Sequence, residues 1–135
     1  MIGGGDRVTE LKQLCGNKTF NTEFVGYQTK EQISSILQSS DFLLHASTIE
    51  TFGVVIVEAL MTGTPVICSN VGALPELINE SNGILCENSV ESWVDGIEIA
   101  VNQGFNNFEI AEGVKNKFTY EEIGKQISSI YNELL

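Results

Sequence analysis

Two glutamates eight positions apart, Glu50 and Glu58, have the types and spacing best suited to chemistry in this sequence. They end the segment Glu50-Thr51-Phe52-Gly53-Val54-Val55-Ile56-Val57-Glu58. From Gly53 to Met61 every residue except Glu58 is apolar or Gly, which predicts a helix starting near Phe52 or Gly53 and buried on nearly all sides. The first free amides of that helix and its dipole offer an anion site suited to a phosphate, and Gly53 would let a ligand approach the backbone. Glu58 lies one turn beyond Val54 and leans toward the helix start, so it can reach a group beside such a phosphate. A sugar with two adjacent hydroxyls, such as a ribose, suits that place because one carboxylate accepts both hydrogen bonds. Left unpaired in apolar surroundings, the carboxylate would cost on the order of several kcal/mol or become neutral. Backbone amides of an adjacent loop are the alternative partners for Glu58, and Glu50 taken alone also fits an ordinary loop acid.

The elements that must position these residues follow from periodicity. Short apolar runs at Phe24 to Tyr27, Phe42 to Ala46, Pro65 to Cys68 and Gly83 to Cys86 alternate with segments of helical spacing. That alternation predicts βαβ units and an α/β fold with a parallel sheet flanked by helices. Ligands of such sheets gather at the carboxyl ends of the strands, where the loop after Ser47 must lie. Helices are expected from about Arg7 to Cys15, from Lys30 to Ser39 with Ile33, Ile36 and Leu37 on one face, and from Ser89 to Asn102. The last would pack through Val90, Trp93, Val94, Ile97 and Val101. Met1 to Gly5 reads as the tail of a strand turning into the first helix. After Gly104 two helices follow without a strand between them, about Asn107 to Lys117 and Tyr120 to Leu134. Thr119 and Glu122 make a capping box for the second, whose apolar face is Ile123, Ile127, Ile130, Tyr131 and Leu134. Both prolines, Pro65 and Pro75, fall at element starts.

With 135 residues, 42% of them apolar, the chain fits a single domain over 1–135 with its own core. A net charge of −11 argues against nucleic acid or an anionic membrane as a direct partner, since both demand a basic footprint. No Lys or Arg occurs between Lys30 and Lys115, so any buried carboxylate in that stretch must find other donors. Cys15, Cys68 and Cys86 have no metal or redox spacing and read as reduced core residues. No apolar run or leader pattern suggests a membrane segment, so a cytoplasmic location is expected.

Other residues are less telling. His45, the single histidine, stands in an apolar strand directly before the loop and reads as structural or pocket-wall rather than catalytic. Gly3-Gly4-Gly5 lacks the spacing and Lys of a phosphate loop and reads as a tight turn. Trp93 belongs to a core face, Asp41 begins a strand, and Ser47 and Thr48 could donate to a ligand or to their own loop.

The two-glutamate segment, followed by Gly63-Thr64-Pro65-Val66-Ile67, resembles the signature of glycosyltransferase family 4. Phe24-Val-Gly-Tyr27, Asp41 to Ser47, Val71-Gly-Ala-Leu-Pro-Glu76-Leu-Ile78, Asn82-Gly-Ile-Leu85 and Phe118 to Ile123 fall in that family's order, so the resemblance covers essentially the whole chain. It implies the Rossmann-like C-terminal half of a GT-B fold with extra C-terminal helices, the half that binds a nucleotide sugar. By position, Glu50 would contact hydroxyls of the transferred hexose, and the amides of Phe52, Gly53 and Val54 would meet the hexose and diphosphate. Glu58 would hold the ribose, Gly26 and Tyr27 would lie near the nucleobase, and Gly72 to Glu76 would flank the donor.

The implied reaction moves a hexose from a UDP- or GDP-sugar to a hydroxyl of an acceptor glycan or lipid-linked saccharide with retention at the anomeric carbon. The nucleotide sugar is a substrate, so no cofactor is implied, and the sequence has no Asp-x-Asp pair to hold a metal. The family's diphosphate-clamping Arg and Lys would precede Met1. The acceptor domain and the first βα portion of this domain are thus expected to be missing, leaving a chain inactive by itself. The rival reading is a non-catalytic nucleotide-sugar-binding or partner module. A nicotinamide oxidoreductase is disfavoured, because no Gly-x-Gly-x-x-Gly follows a strand with an acid about 20 residues on.

Overall fold

The computed structural model describes residues 1–16 and 21–134, which fall into two compact units, 1–35 and 36–135. The elements in chain order are α1 (Val8–Cys15), α2 (Lys30–Gln38), β1 (Leu43–His45), α3 (Val54–Met61), β2 (Val66–Ser69), α4 (Leu74–Leu77), β3 (Gly83–Cys86), α5 (Val90–Gln103), α6 (Asn107–Phe118) and α7 (Tyr120–Glu133).

In the first unit the expected strand Phe24 to Tyr27 is reduced to one parallel bridge between Ile2 and Gly26, with Gly3 N–H bonded to the Gly26 carbonyl at 2.8 Å. The reason is local. Gly3 and Gly5 take φ of 102° and 146°, so the partner segment leaves extended geometry before a ladder can grow. The same turn leads into α1, where the helix was expected.

The second unit is built on a parallel sheet of order β1-β2-β3, with Leu43 opposite Val66 and Val66 opposite Gly83. Every residue of β2 is buried, as a strand covered on both faces must be. The crossover helix α3 packs on β1, β2 and α6 through Ile56, Val57, Ala59 and Leu60, all at most 8% exposed. The expectation of burial on nearly all sides is corrected here. Val54 and Met61 are exposed and Glu58 is half-buried, so α3 has an open stripe at one side.

The face expected to pack on α5 is also corrected. Val90, Val94, Ile97 and Val101 are exposed, and the buried positions are Gly96 and Ala100. Close approach to β3 selects small residues there: a Cβ on Gly96 would overlap Cys86 Sγ. Trp93 does pack against the core of Ile67, Cys86 and Ala100, beside Phe42, Ile84 and Phe105. Pro75 stands in the first turn of α4, and Pro65 directly precedes β2.

Side chains close the helix starts: Ser89 accepts from Ser92 N–H, Asn106 from Phe108 and Glu109, and Thr119 from Glu122 at 3.3 Å. The apolar residues of α7, Ile123, Ile127, Ile130, Tyr131 and Leu134, are exposed. Burial pushes the Cys68 thiol up to about 12, with Cys86 adding to the shift, and burial also raises Cys86. Both are therefore protonated core thiols at neutral pH, free of any disulfide, whereas Cys15 is half-buried.

Candidate functional site

The loop from Ala46 to Gly53 joins the end of β1 to α3, and two polar side chains, one at the end of β2 and one just beyond β3, hold it at Ser47. Ser69, fully buried at the end of β2, accepts the Ser47 N–H at 3.0 Å and donates to Asn88 Oδ1 at 2.8 Å. The Asn88 amide in turn donates to the Ser47 carbonyl at 3.3 Å. Sequence reasoning missed Ser69 and Asn88, because their partner Ser47 lies 22 and 41 positions away and short polar residues carry no periodic signal. Ser69→Ala would leave the Ser47 amide without its acceptor. We expect it to lower unfolding free energy by about 1–3 kcal/mol in urea titrations with an unchanged slope.

Further along the loop, Glu50 turns its carboxylate onto the start of α3. Its Oε1 accepts the N–H groups of Thr51 at 3.0 Å, Phe52 at 3.4 Å and Gly53 at 3.2 Å. Its Oε2 lies 3.3 Å from His45 Nε2. The Phe52 and Thr51 amides hold the Glu50 carboxyl below the usual carboxylate range, partial burial opposes them, and His45 and Gly53 add to the lowering. Its folded value being lowered, Glu50 contributes stability that is complete above its ordinary value of 4.5 and is lost as pH falls through the lowered one. Glu50→Gln keeps an acceptor oxygen without the charge. The fall in Tm with acid should therefore be shallower in that variant than in the wild type, as thermal scans from about pH 5 to pH 2.5 would record.

Gly53 is the left-handed residue that starts α3, at φ 83°. The side its absent Cβ would occupy faces Leu74 Cδ2 at 2.6 Å and Ile56 Cγ1 at 3.2 Å, so that side meets the core rather than an approaching ligand. Gly72, at φ 54°, makes the comparable close approach to Glu50: a Cβ there would overlap the Glu50 carbonyl oxygen. The turn after β2 therefore presses on the Glu50 peptide.

Phe52 is half-exposed, and its ring meets Phe118 of α6 edge to face, with centroids 6.1 Å apart. The Ile56 and Val57 amides bond to the Gly53 carbonyl. Two of the three amides expected to face a ligand, those of Phe52 and Gly53, thus already serve Glu50. Val54 is exposed, and Glu58 stands one turn further along the same side. Among the described residues the Glu58 carboxylate has no hydrogen bond or ion pair, so the loop-amide alternative for it is not realised.

Glu76, in α4, is exposed and lines a cavity of about 170 Å³ with Asn79, Glu109 and Lys117. Gly26 and Tyr27 belong to the first unit. There Gly26 takes φ 70°, Tyr27 is exposed, and its ring covers Gly4, whose added Cβ would lie 2.8 Å from Cε2. The structure therefore brings Glu50, Phe52, Gly53, Val54, Glu58 and Gly72 together around one loop and helix start.

The family model for Glycosyl transferases group 1 matches residues 1–117. An uncharacterised glycosyltransferase of Methanocaldococcus jannaschii is 29% identical over 97% of the chain and 36% of its own length. The N-acetyl-alpha-D-glucosaminyl L-malate synthase of Bacillus anthracis is 30% identical over 100% of the chain and 37% of its own. The chain thus spans little more than a third of those relatives. Among solved structures, sucrose-phosphate synthase from Thermosynechococcus elongatus superposes with a TM-score of 0.81 at 27% identity, over 98% of the chain and 37% of its own. Anabaena HepE in complex with UDP superposes with a TM-score of 0.78 at 26% identity, over 95% of the chain and 37% of its own.

Proposed function

This chain belongs to the glycosyl transferases group 1 family, and on that premise we propose that it is the donor-binding half of a retaining hexosyltransferase. The full-length protein takes a hexose from a UDP- or GDP-sugar and delivers it to a hydroxyl of an acceptor glycan or lipid-linked saccharide. The acceptor is bound mainly by the rest of the protein, and the reaction runs in the cytoplasm. No helix among the described residues is long and apolar enough to cross a membrane, which is compatible with that location.

One observation carries the reading: a half-buried carboxylate, Glu58, stands unpartnered among the described residues in an otherwise apolar helix, one turn beyond the start of that helix. Such a group is left to a ligand, and two adjacent ribose hydroxyls satisfy it. The diphosphate then meets the Val54 amide and the positive end of the α3 dipole, while the amides of Phe52 and Gly53 stay with Glu50 Oε1. This helix start, rather than a metal, meets the charge of the leaving diphosphate. Glu50 is already anionic and oriented, and it accepts a hydrogen bond from a hexose hydroxyl. Gly72 to Glu76 flank the donor. HepE, a structural neighbour with UDP bound, supports a uridine nucleotide as the first donor to try.

The test is a transfer assay on the full-length protein with UDP-glucose, UDP-N-acetylglucosamine and GDP-mannose, the anomeric configuration of the product being read by proton NMR. Transfer with retention is expected from one of the three. Donor binding without transfer to any glycan or lipid-linked acceptor would favour a non-catalytic binding module, and an inverted product would overturn the retaining assignment.

A further inference from the structure

His45 ends β1, opposite Cys68 of β2, and is held by the most buried strand of the sheet. Its side chain is 26% exposed and that of Glu50 is 22% exposed, so both stand at the rim of the sheet rather than in bulk water. The two oxygens of Glu50 are used unequally. Oε1 is occupied by three backbone amides, whereas Oε2 has the His45 ring as its single partner among the described residues. A carboxylate oxygen accepts about two hydrogen bonds, so Oε2 keeps one acceptor position open. With Nε2–H donating, that position is fixed in direction by the imidazole, because rotation about the last side-chain bond would break the contacts of both oxygens.

We propose that His45 is a positioning residue for the sugar-binding step: it aims the open acceptor position of Glu50 Oε2 at a hydroxyl of the hexose. This rests on the reading of Glu50 as the hexose-binding carboxylate. Glu50 accepts from the hydroxyl, and His45 acts through Glu50. Its removal therefore affects the sugar-bearing nucleotide and spares the nucleotide alone. A histidine needed only to fill space would move both ligands together or neither.

The experiment is calorimetric titration of the full-length protein with UDP-glucose, UDP-N-acetylglucosamine and GDP-mannose, each beside its parent UDP or GDP. His45→Ala should raise the Kd of the preferred donor by about five- to tenfold, part of the worth of one hydrogen bond to a carboxylate, because the bond is misaimed rather than removed. The Kd of the parent nucleotide should stay within about twofold. His45→Gln, which offers an N–H at similar reach, should bind both as the wild type does. In a Glu50→Ala background, His45→Ala should have no further effect. If His45→Ala folds too poorly to titrate, His45→Leu fills the space without the donor and carries the same expectation.

Equal losses for donor and nucleotide, no loss for either, a failed rescue by Gln, or a full additional loss in the double variant would each overturn the proposal. If Glu50→Ala itself leaves the ratio of donor to nucleotide affinity unchanged, or none of the three donors binds, the donor-site reading fails and takes this proposal with it. Loss of the ratio in Glu50→Ala but not in His45→Ala refutes the positioning role alone.

Discussion

Glu58→Ala should weaken UDP and the UDP-sugar by the same factor, roughly 10- to 100-fold, because the ribose hydroxyls lose a carboxylate acceptor and regain water in its place. The equality matters as much as the size. A group on the ribose sees the same atoms whether or not a sugar follows the diphosphate, so the change cancels in the ratio of the two affinities. The fold should not suffer. Glu58 has no protein partner among the described residues, and it interrupts an apolar helix that already buries Ile56, Val57, Ala59 and Leu60. Alanine has the higher helix propensity and removes a half-buried charge, so the Tm of the variant should equal or exceed that of the wild type. Titration calorimetry with both ligands and a thermal melt check the two halves of this expectation. A Tm several degrees lower with unchanged affinity would mean that Glu58 serves the fold instead.

Gly72→Ala should do the reverse, damaging the fold and the sugar contact together. Two independent effects coincide at this residue. Its φ of 54° lies where residues with a Cβ are strained, and the added Cβ would overlap the Glu50 carbonyl oxygen and come within 2.9 Å of its carbon. Neither neighbour can swing aside, because both contacts are backbone. Relief requires the 50–53 loop to move as a unit, and that loop is tied at Ser47 to Ser69 and Asn88 and at Gly53 to the start of α3. We expect a loss of roughly 2–4 kcal/mol in unfolding free energy. The surviving folded protein should bind UDP more nearly as the wild type does than it binds the UDP-sugar, because Glu50 is displaced while Glu58 is not. Urea denaturation and the same pair of titrations measure both effects.

How far these features could be read in advance depends on what kind of interaction makes them. The start of α3, the three last helices and the positions of β1, β2 and β3 are written in local apolar spacing and in caps such as Thr119, and they form where expected. The packing face of α5 could not be read that way. Apolar periodicity weighs bulk, whereas a helix lying close against β3 selects Gly96 and Ala100 and leaves Val90, Val94 and Val101 outside. The open side of α3 was hidden for a similar reason, because the spacing shows that Val54 and Met61 are apolar but not whether anything covers them.

At the site, the types of Glu50 and Glu58 point to the place, and the division of labour between the Glu50 oxygens arises only in the folded loop. His45 is five positions from Glu50, too far for a helical or strand rule to pair them, and it meets Glu50 only because the loop doubles back. Gly53 and Gly72 were legible as glycines beside a ligand site. The structure gives them another duty, close contact with Leu74 and with the Glu50 peptide.

A crystal structure of the full-length protein with its preferred nucleotide sugar bound tests the donor site most directly. The diphosphate should lie at the start of α3, a Glu58 oxygen within about 2.6–3.2 Å of both ribose hydroxyls, and Glu50 Oε2 at the same range from a hexose hydroxyl. A nucleotide bound away from α3, or bound there with Glu58 facing solvent and no ribose contact, would contradict this placement.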